Sequence, residues 1–113
     1  MTTNYSRGAA FERRVKVELE SDGYGVQKAG GSKGAADLWA AKVGQLLMIS
    51  VKKTNGQIPP KERAALFELA HRCGALPIVA YQPIPRKPIV YRLLTGTGSS
   101  QWEPFYLDEV VNA

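Results

Sequence analysis

The stretch Ala35-Ala36-Asp37-Leu38-Trp39-Ala40-Ala41-Lys42-Val43-Gly44-Gln45-Leu46-Leu47-Met48-Ile49-Ser50-Val51-Lys52-Lys53 decides how this chain folds. Two strand-like runs, 35–41 and 45–53, flank Val43-Gly44, and a glycine in a two-residue connection suits a tight hairpin. Lys42 then faces Gln45. Counting back along both strands puts Asp37 directly opposite Ser50, with side chains about 5 Å apart. Lys52 lies two residues beyond Ser50 and shares its face, because strand side chains alternate. The other face carries Ala36, Leu38, Ala40, Leu47, Ile49 and Val51, all apolar, and reads as core. The Asp37 face runs from apolar (Trp39, Leu46, Met48) to polar (Asp37, Ser50, Lys52), so any chemistry belongs at its polar end.

Downstream, Pro59-Pro60-Lys61-Glu62 opens a second helix, since proline suits a first turn. It runs to Arg72 or Cys73 and stops at Gly74, with Leu66, Leu69, Ala70 and Cys73 as its apolar stripe. Glu62 falls on the side of Leu66, and Glu68 points roughly opposite. Runs 76–82 and 89–94 read as strands. A strand, a helix and a strand imply a crossover, which sets 76–82 parallel to 45–53. Upstream, a first helix runs from Ser6 or Arg7 to just before Asp22-Gly23, with Phe11, Val15 and Leu19 four residues apart on its buried stripe. Glu12 lies within roughly 20° of Leu19 on that wheel. An acid at the edge of a buried stripe has either a local partner, such as Lys16 at i+4, or a task. Gly-rich or proline-rich segments at 29–34, 55–60, 83–88 and 95–100 are loops, and 106–111 suggests a short final helix. The order describes an α+β or α/β sandwich in a single domain spanning 1–113.

Composition bounds the function. With 113 residues, 44% hydrophobic and 22% charged, the chain is an ordinary globular domain. A mean hydropathy of -0.22 and the lack of a long apolar run argue against a membrane span, and the N-terminus lacks a secretory pattern. A single cysteine, Cys73, excludes an internal disulfide and a cysteine-based zinc site, in keeping with a cytoplasmic setting. The net charge is +5, and every Lys and Arg lies at or before Arg92, whereas the tail beyond carries only Glu103, Asp108 and Glu109. A basic body points to a polyanion, with nucleic acid first.

Asp37, the Ser50-Val51-Lys52 unit and Glu12 form a pattern with a mechanism. A carboxylate at a strand end can hold Mg²⁺, which takes oxygen ligands and keeps several waters. Such a metal lowers the pKa of bound water and stabilises charge on a phosphodiester oxygen. A nearby lysine can orient the attacking water or neutralise charge developing at phosphorus.

Three segments carry a resemblance. Arg7-Gly8-Ala9-Ala10-Phe11-Glu12-Arg13, then Gly30-Gly31-Ser32-Lys33-Gly34-Ala35-Ala36-Asp37-Leu38, then Ile49-Ser50-Val51-Lys52-Lys53 resemble the archaeal-type Holliday junction resolvases of the PD-(D/E)XK nuclease superfamily, which also occur in phages. The resemblance runs from about Ser6 to Gln82. It implies an α/β restriction-endonuclease-like core: a mixed sheet, antiparallel hairpin plus parallel crossover strand, flanked by helices. By position, Asp37 matches the principal metal-binding aspartate, Glu12 the helix-one acid of the metal site, Lys52 the catalytic lysine and Ser32 the serine of the Gly-Ser loop. Arg13 matches the adjacent basic residue, and Lys28 a basic residue before that loop. Ser50 stands where the family usually has a glutamate ligand. Some restriction endonucleases of the superfamily share that serine and bring an acid from the next helix, a place Glu62 could fill. Glu62 otherwise reads as a first-turn acid favoured by the helix dipole.

The resemblance implies a Mg²⁺-dependent endonuclease, with Mn²⁺ as the other candidate metal, that cuts four-way junctions as a homodimer inside a bacterial, archaeal or phage-infected cell. Arg7, Arg13, Arg14, Lys28, Lys33 and Lys53 are the expected phosphate contacts. Alternatives are a related nuclease on other branched DNA and a junction-binding protein that has lost cleavage with its second acid. For the dimer, Trp39, Leu46 and Met48 with Trp102, Phe105 and Tyr106 are the candidate contact surface. His71 reads as a surface residue and Cys73 as a small core hydrophobe. Trp39 either stacks on a base or packs, and Arg86-Lys87 is either a solvated tip or a phosphate contact.

Overall fold

The computed structural model describes residues 4–29, 35–52 and 55–107, except for the side chains of residues 4–8. Its elements are α1 (Asn4–Ser21), β1 (Gly25–Lys28), β2 (Leu38–Lys42), β3 (Gln45–Val51), α2 (Pro60–Cys73), β4 (Leu76–Tyr81), β5 (Val90–Leu94) and β6 (Trp102–Phe105). They build one six-stranded sheet in the order β1-β2-β3-β4-β5-β6. Only β3 and β4 run parallel, and α2 supplies the crossover between them. This is the mixed sheet flanked by helices that the sequence predicts.

Strand alternation sorts the core into two layers. Leu38, Ala40, Leu47, Ile49, Ile78 and Ala80 pack with Phe11, Val15 and Leu19 of α1. Met48 and Val79 pack with Leu66 and Ala70 of α2. Both helices end on a glycine in the left-handed region, Gly23 at φ 98° and Gly74 at φ 68°. In each, crossed backbone bonds close the end: Tyr24 N–H to Leu19 O at 3.1 Å, and Ala75 N–H to Ala70 O at 2.8 Å. The Tyr91 hydroxyl ties β5 to α1 by donating to Glu18 Oε1 at 2.5 Å. Burial, and then that carboxylate, push the Tyr91 phenol far above its ordinary value.

Several expectations are corrected. The 35–41 strand begins only at Leu38, and Ala36 packs with the α2 layer rather than beside Leu38. Leu46 and Met48 are not an open surface: Met48 is fully buried and Leu46 packs against the α2 layer. Phe105 likewise packs on the α1 layer, leaving Trp39, Trp102 and Tyr106 as the exposed members of that group. Cys73 is exposed rather than part of the buried stripe: it is the last residue of α2, and the buried positions of that helix are Arg63, Leu66 and Ala70. Tyr106 and Leu107 are not helical, and the rest of the expected final helix lies outside the described residues. Strands β1 and β6 lie in segments not read as strands.

Candidate active site at the end of the sheet

The β2–β3 register follows the hairpin from Lys42↔Gln45 to Leu38↔Ile49. At Asp37 it breaks. The Asp37 N–H donates to Ile49 O at 2.7 Å, so Asp37 and Leu38 together stand against the single residue Ile49. An extra residue on one strand is a bulge, and bulges re-aim side chains. Asp37 is therefore not directly opposite Ser50, as simple counting expects. Its carboxylate turns along the strand end, where Oδ2 accepts the Val51 N–H at 2.7 Å. Its carbonyl accepts the Ala29 N–H at 3.0 Å, which ties the exit of β1 to the same point. Two backbone bonds and one side-chain bond thus fix this aspartate between β1 and β3.

Ser50 and Lys52 flank the residue that Asp37 grips. Ser50 is buried and faces the α2 layer with Met48. The Lys52 N–H donates to Ala80 O at 2.8 Å and prolongs the parallel pairing by one residue. Its Nζ lies 3.1 Å from Oε1 of Glu62, in the first turn of α2. This ion pair brings the predicted catalytic lysine and the predicted substitute acid together. Glu62 thus has a partner beyond the helix dipole.

Glu12 comes from α1. Its ion pair is to Lys28 at the end of β1, at 3.6 Å, and not to Lys16, the local partner that the sequence offered as one alternative. Lys28 and Asp37 are neighbours through the Ala29–Asp37 backbone bond, so the acid of α1 approaches the same sheet end. Among the described residues no three acids, histidines or cysteines are gathered closely enough to form a cage. The available donors are nonetheless carboxylate oxygens, and Mg²⁺ is commonly held by only one or two of these with waters completing the shell. Asp37 and Glu62 suit that donor chemistry.

The basic surroundings are in part as expected. Arg13, Arg14 and Lys28 are exposed, and the Arg14 guanidinium lies 5.0 Å from the Phe11 ring centroid. The Arg7 side chain, Ser32, Lys33 and Lys53 lie outside the described residues. Trp39 is half exposed and lines a cleft of about 390 Å³ with Lys28, Ala35, Ala36 and Leu69. His71 is exposed, with its ring stacked on Phe67 at 5.9 Å, and Arg86 and Lys87 form an exposed turn.

The sequence reading missed Arg63, which is buried and donates to Ile58 O at 2.9 Å and Thr97 O at 2.7 Å. It clamps the loop after β5 to the start of α2, and so steadies the turn that carries Glu62. A helical arginine one residue after Glu62 offers no sequence signal of burial.

Comparisons with known proteins point to one family. The family model for archaeal Holliday junction resolvases (Hjc) matches residues 3–96. The crossover junction endodeoxyribonuclease Hjc of Methanocaldococcus jannaschii is 34% identical over 83 residues, which is 71% of this chain and 62% of that relative. The aligned region thus spans less than two thirds of that relative's length. The solved structure of Archaeoglobus fulgidus Hjc, a Holliday junction resolvase from an archaeal hyperthermophile, matches with a TM-score of 0.64 at 28% identity. That match covers 75% of this chain and 70% of the other. With Glu12, Asp37, Ser50, Lys52 and Glu62 all inside the matched span, this chain belongs to the archaeal Holliday junction resolvase (Hjc) family.

Proposed function

We propose that this protein is a divalent-metal-dependent endonuclease that resolves four-way DNA junctions by paired phosphodiester hydrolysis, acting as a homodimer. The observation that carries the reading is Asp37: an aspartate re-aimed by a bulge and held on the Val51 N–H, between Ser50 and a lysine already paired with an acid. The names of the two relatives support the substrate.

Mg²⁺, or Mn²⁺ in its place, would be held by Asp37 with Glu62 or Glu12. When bound it supplies positive charge at the scissile phosphate and an activated water. Asp37 would offer its Oδ1, since Oδ2 is engaged by the Val51 N–H, a bond that keeps the side chain from swinging. Lys52 offers its ammonium to the phosphate oxygens, and Glu62 holds that ammonium in place until the phosphate arrives. Ser50 is neutral and buried, so it cannot replace the glutamate usual in the family. Glu62 from α2, or Glu12 from α1, would take up that duty. Arg7, Arg13, Arg14, Lys28, Lys33 and Lys53 would contact phosphates without reading sequence. Two copies related by a two-fold axis would give the paired incisions.

End-labelled four-way junction, linear duplex and flap DNA, each incubated with Mg²⁺ and with chelator, test this reading. Symmetric metal-dependent cuts in the junction alone are expected. Tight junction binding without any cut would instead support a binding protein, the reading favoured by the buried Ser50. Cutting of flaps in preference would move the substrate to other branched DNA.

A further inference from the structure

Arg92, on β5, has an arrangement that the proposed site does not use. Ser50, Val79 and Arg92 stand in one row across β3, β4 and β5, which puts Arg92 about 10 Å from Ser50 on the face covered by α2. Its guanidinium carbon lies 3.8 Å from the Trp102 ring centroid and 4.8 Å from that of Tyr81. Its Nε is buried without a hydrogen-bond partner, and no carboxylate of the described residues pairs with it. A Cβ at Gly56 would come within 2.8 Å of Nη1 and 2.9 Å of Tyr81 Cε1, so the backbone at Gly56 passes close to the group.

Stacking uses the faces of a guanidinium and leaves its edge. Of the five in-plane N–H donors, the one on Nε is buried, which leaves the four on Nη1 and Nη2, and an aromatic ring accepts nothing from them. With no acid of the described residues paired to them, their match is an anion with paired oxygens, and a phosphate fits that fork in a bidentate way. The two rings also fix the orientation in advance, so little rotamer freedom is lost on binding. We propose that the two terminal nitrogens of the Arg92 guanidinium, held against Tyr81 and Trp102, bind one backbone phosphate of the DNA strand that lies over Asp37 and Lys52. This rests on the nuclease reading above and extends its contact surface from β3 to β6.

Fluorescence anisotropy with a labelled four-way junction tests it, in chelator so that nothing is cut, between 50 and 200 mM salt as in the usual range for such slopes. Arg92→Met keeps the stem and removes the donors. It is expected to bind roughly tenfold more weakly, with a slope of log affinity against log salt shallower by about 0.9. Gly56→Ala, which displaces the guanidinium without removing its charge, is expected to weaken binding as well. Unchanged affinity and slope in Arg92→Met overturn the proposal while leaving the nuclease reading intact. Should Arg92→Met fail to fold, Trp102 emission in Trp39→Phe protein decides, because a phosphate at Arg92 alters the ring stacked on it. Saturating junction is expected to shift that emission and inorganic phosphate alone is not. No shift with the junction, or an equal shift with inorganic phosphate, overturns the assignment to a DNA strand. If the unaltered protein binds no junction, the functional reading and this inference fall together.

Discussion

Replacing Asp37 separates what the aspartate does for the fold from what it does for chemistry. Its Oδ2 accepts the Val51 N–H at 2.7 Å, a short bond to an ionised acceptor, of the class worth about 1.5–3 kcal/mol. In Asp37→Asn the amide oxygen can accept the same N–H, so only the charge-assisted part is lost, about 1 kcal/mol. In Asp37→Ala the N–H at the strand end has no acceptor from this residue, and the loss rises to roughly 2 kcal/mol. At about 4 °C per kcal/mol for a domain of this size, Tm should fall by about 4 °C in the first and about 8 °C in the second. Cleavage should fall in both by at least about 10³-fold, because several kcal/mol of transition-state stabilisation depend on the metal's ligand. Junction affinity should hold or rise in Asp37→Asn, since a negative charge beside phosphate is gone. Calorimetry, a single-turnover cleavage assay and anisotropy read the three quantities separately. An Asn variant that cuts within tenfold of the parent refutes the metal assignment. An Ala variant as stable as the Asn variant refutes the structural part of the reasoning.

Glu62→Gln should slow cleavage at least tenfold and raise the Mg²⁺ requirement with little change in Tm, because the Lys52–Glu62 pair is partly exposed and worth at most about 1 kcal/mol. Unchanged cleavage in a metal titration would leave Glu62 as a surface partner of Lys52 only. Ser50→Glu should restore part of the activity lost in Glu62→Gln, and failure at all Mg²⁺ concentrations would argue that the buried position cannot present an acid. Arg13→Ala should reduce the salt slope of junction binding by about one, and an identical slope would remove Arg13 from the phosphate contacts. Met48→Ala should cost about 2–5 kcal/mol in chemical denaturation, as a core residue packed beneath α2 does, and a near-neutral result would return Met48 to an exposed face.

The elements that could be read from sequence are those whose own residues carry the signal. The hairpin turn needs φ 81° at Gly44, and the apolar runs beside it exceed what one face requires, so β2, β3 and their register were legible. Pro60 and Gly74 bracket α2, and its crossover length dictates a parallel β4. By contrast β1 and β6 are four-residue edge strands with mostly exposed side chains, and Pro104 interrupts the second. Neither has enough alternation to announce itself. They are strands because a neighbouring strand offers an unpaired edge.

The site divides along the same line. Asp37, Lys52 and Glu12 stand out as candidates from residue type, spacing and position on their elements, because a carboxylate at a strand end and an acid beside a buried stripe are local anomalies. Their partners were not. The bulge that turns Asp37 onto Val51 shifts the pairing against Ile49 by one residue, and no count along either strand contains that shift. The pairing of Lys52 with Glu62 and of Glu12 with Lys28 depends on how each helix lies across its own face of the sheet. The sequence by itself determined the hairpin, the crossover and the residue types at the sheet end, since these follow from backbone freedom and local periodicity. Only tertiary structure decided which charges meet, because ion pairs between elements are set by the packing of the layers between them.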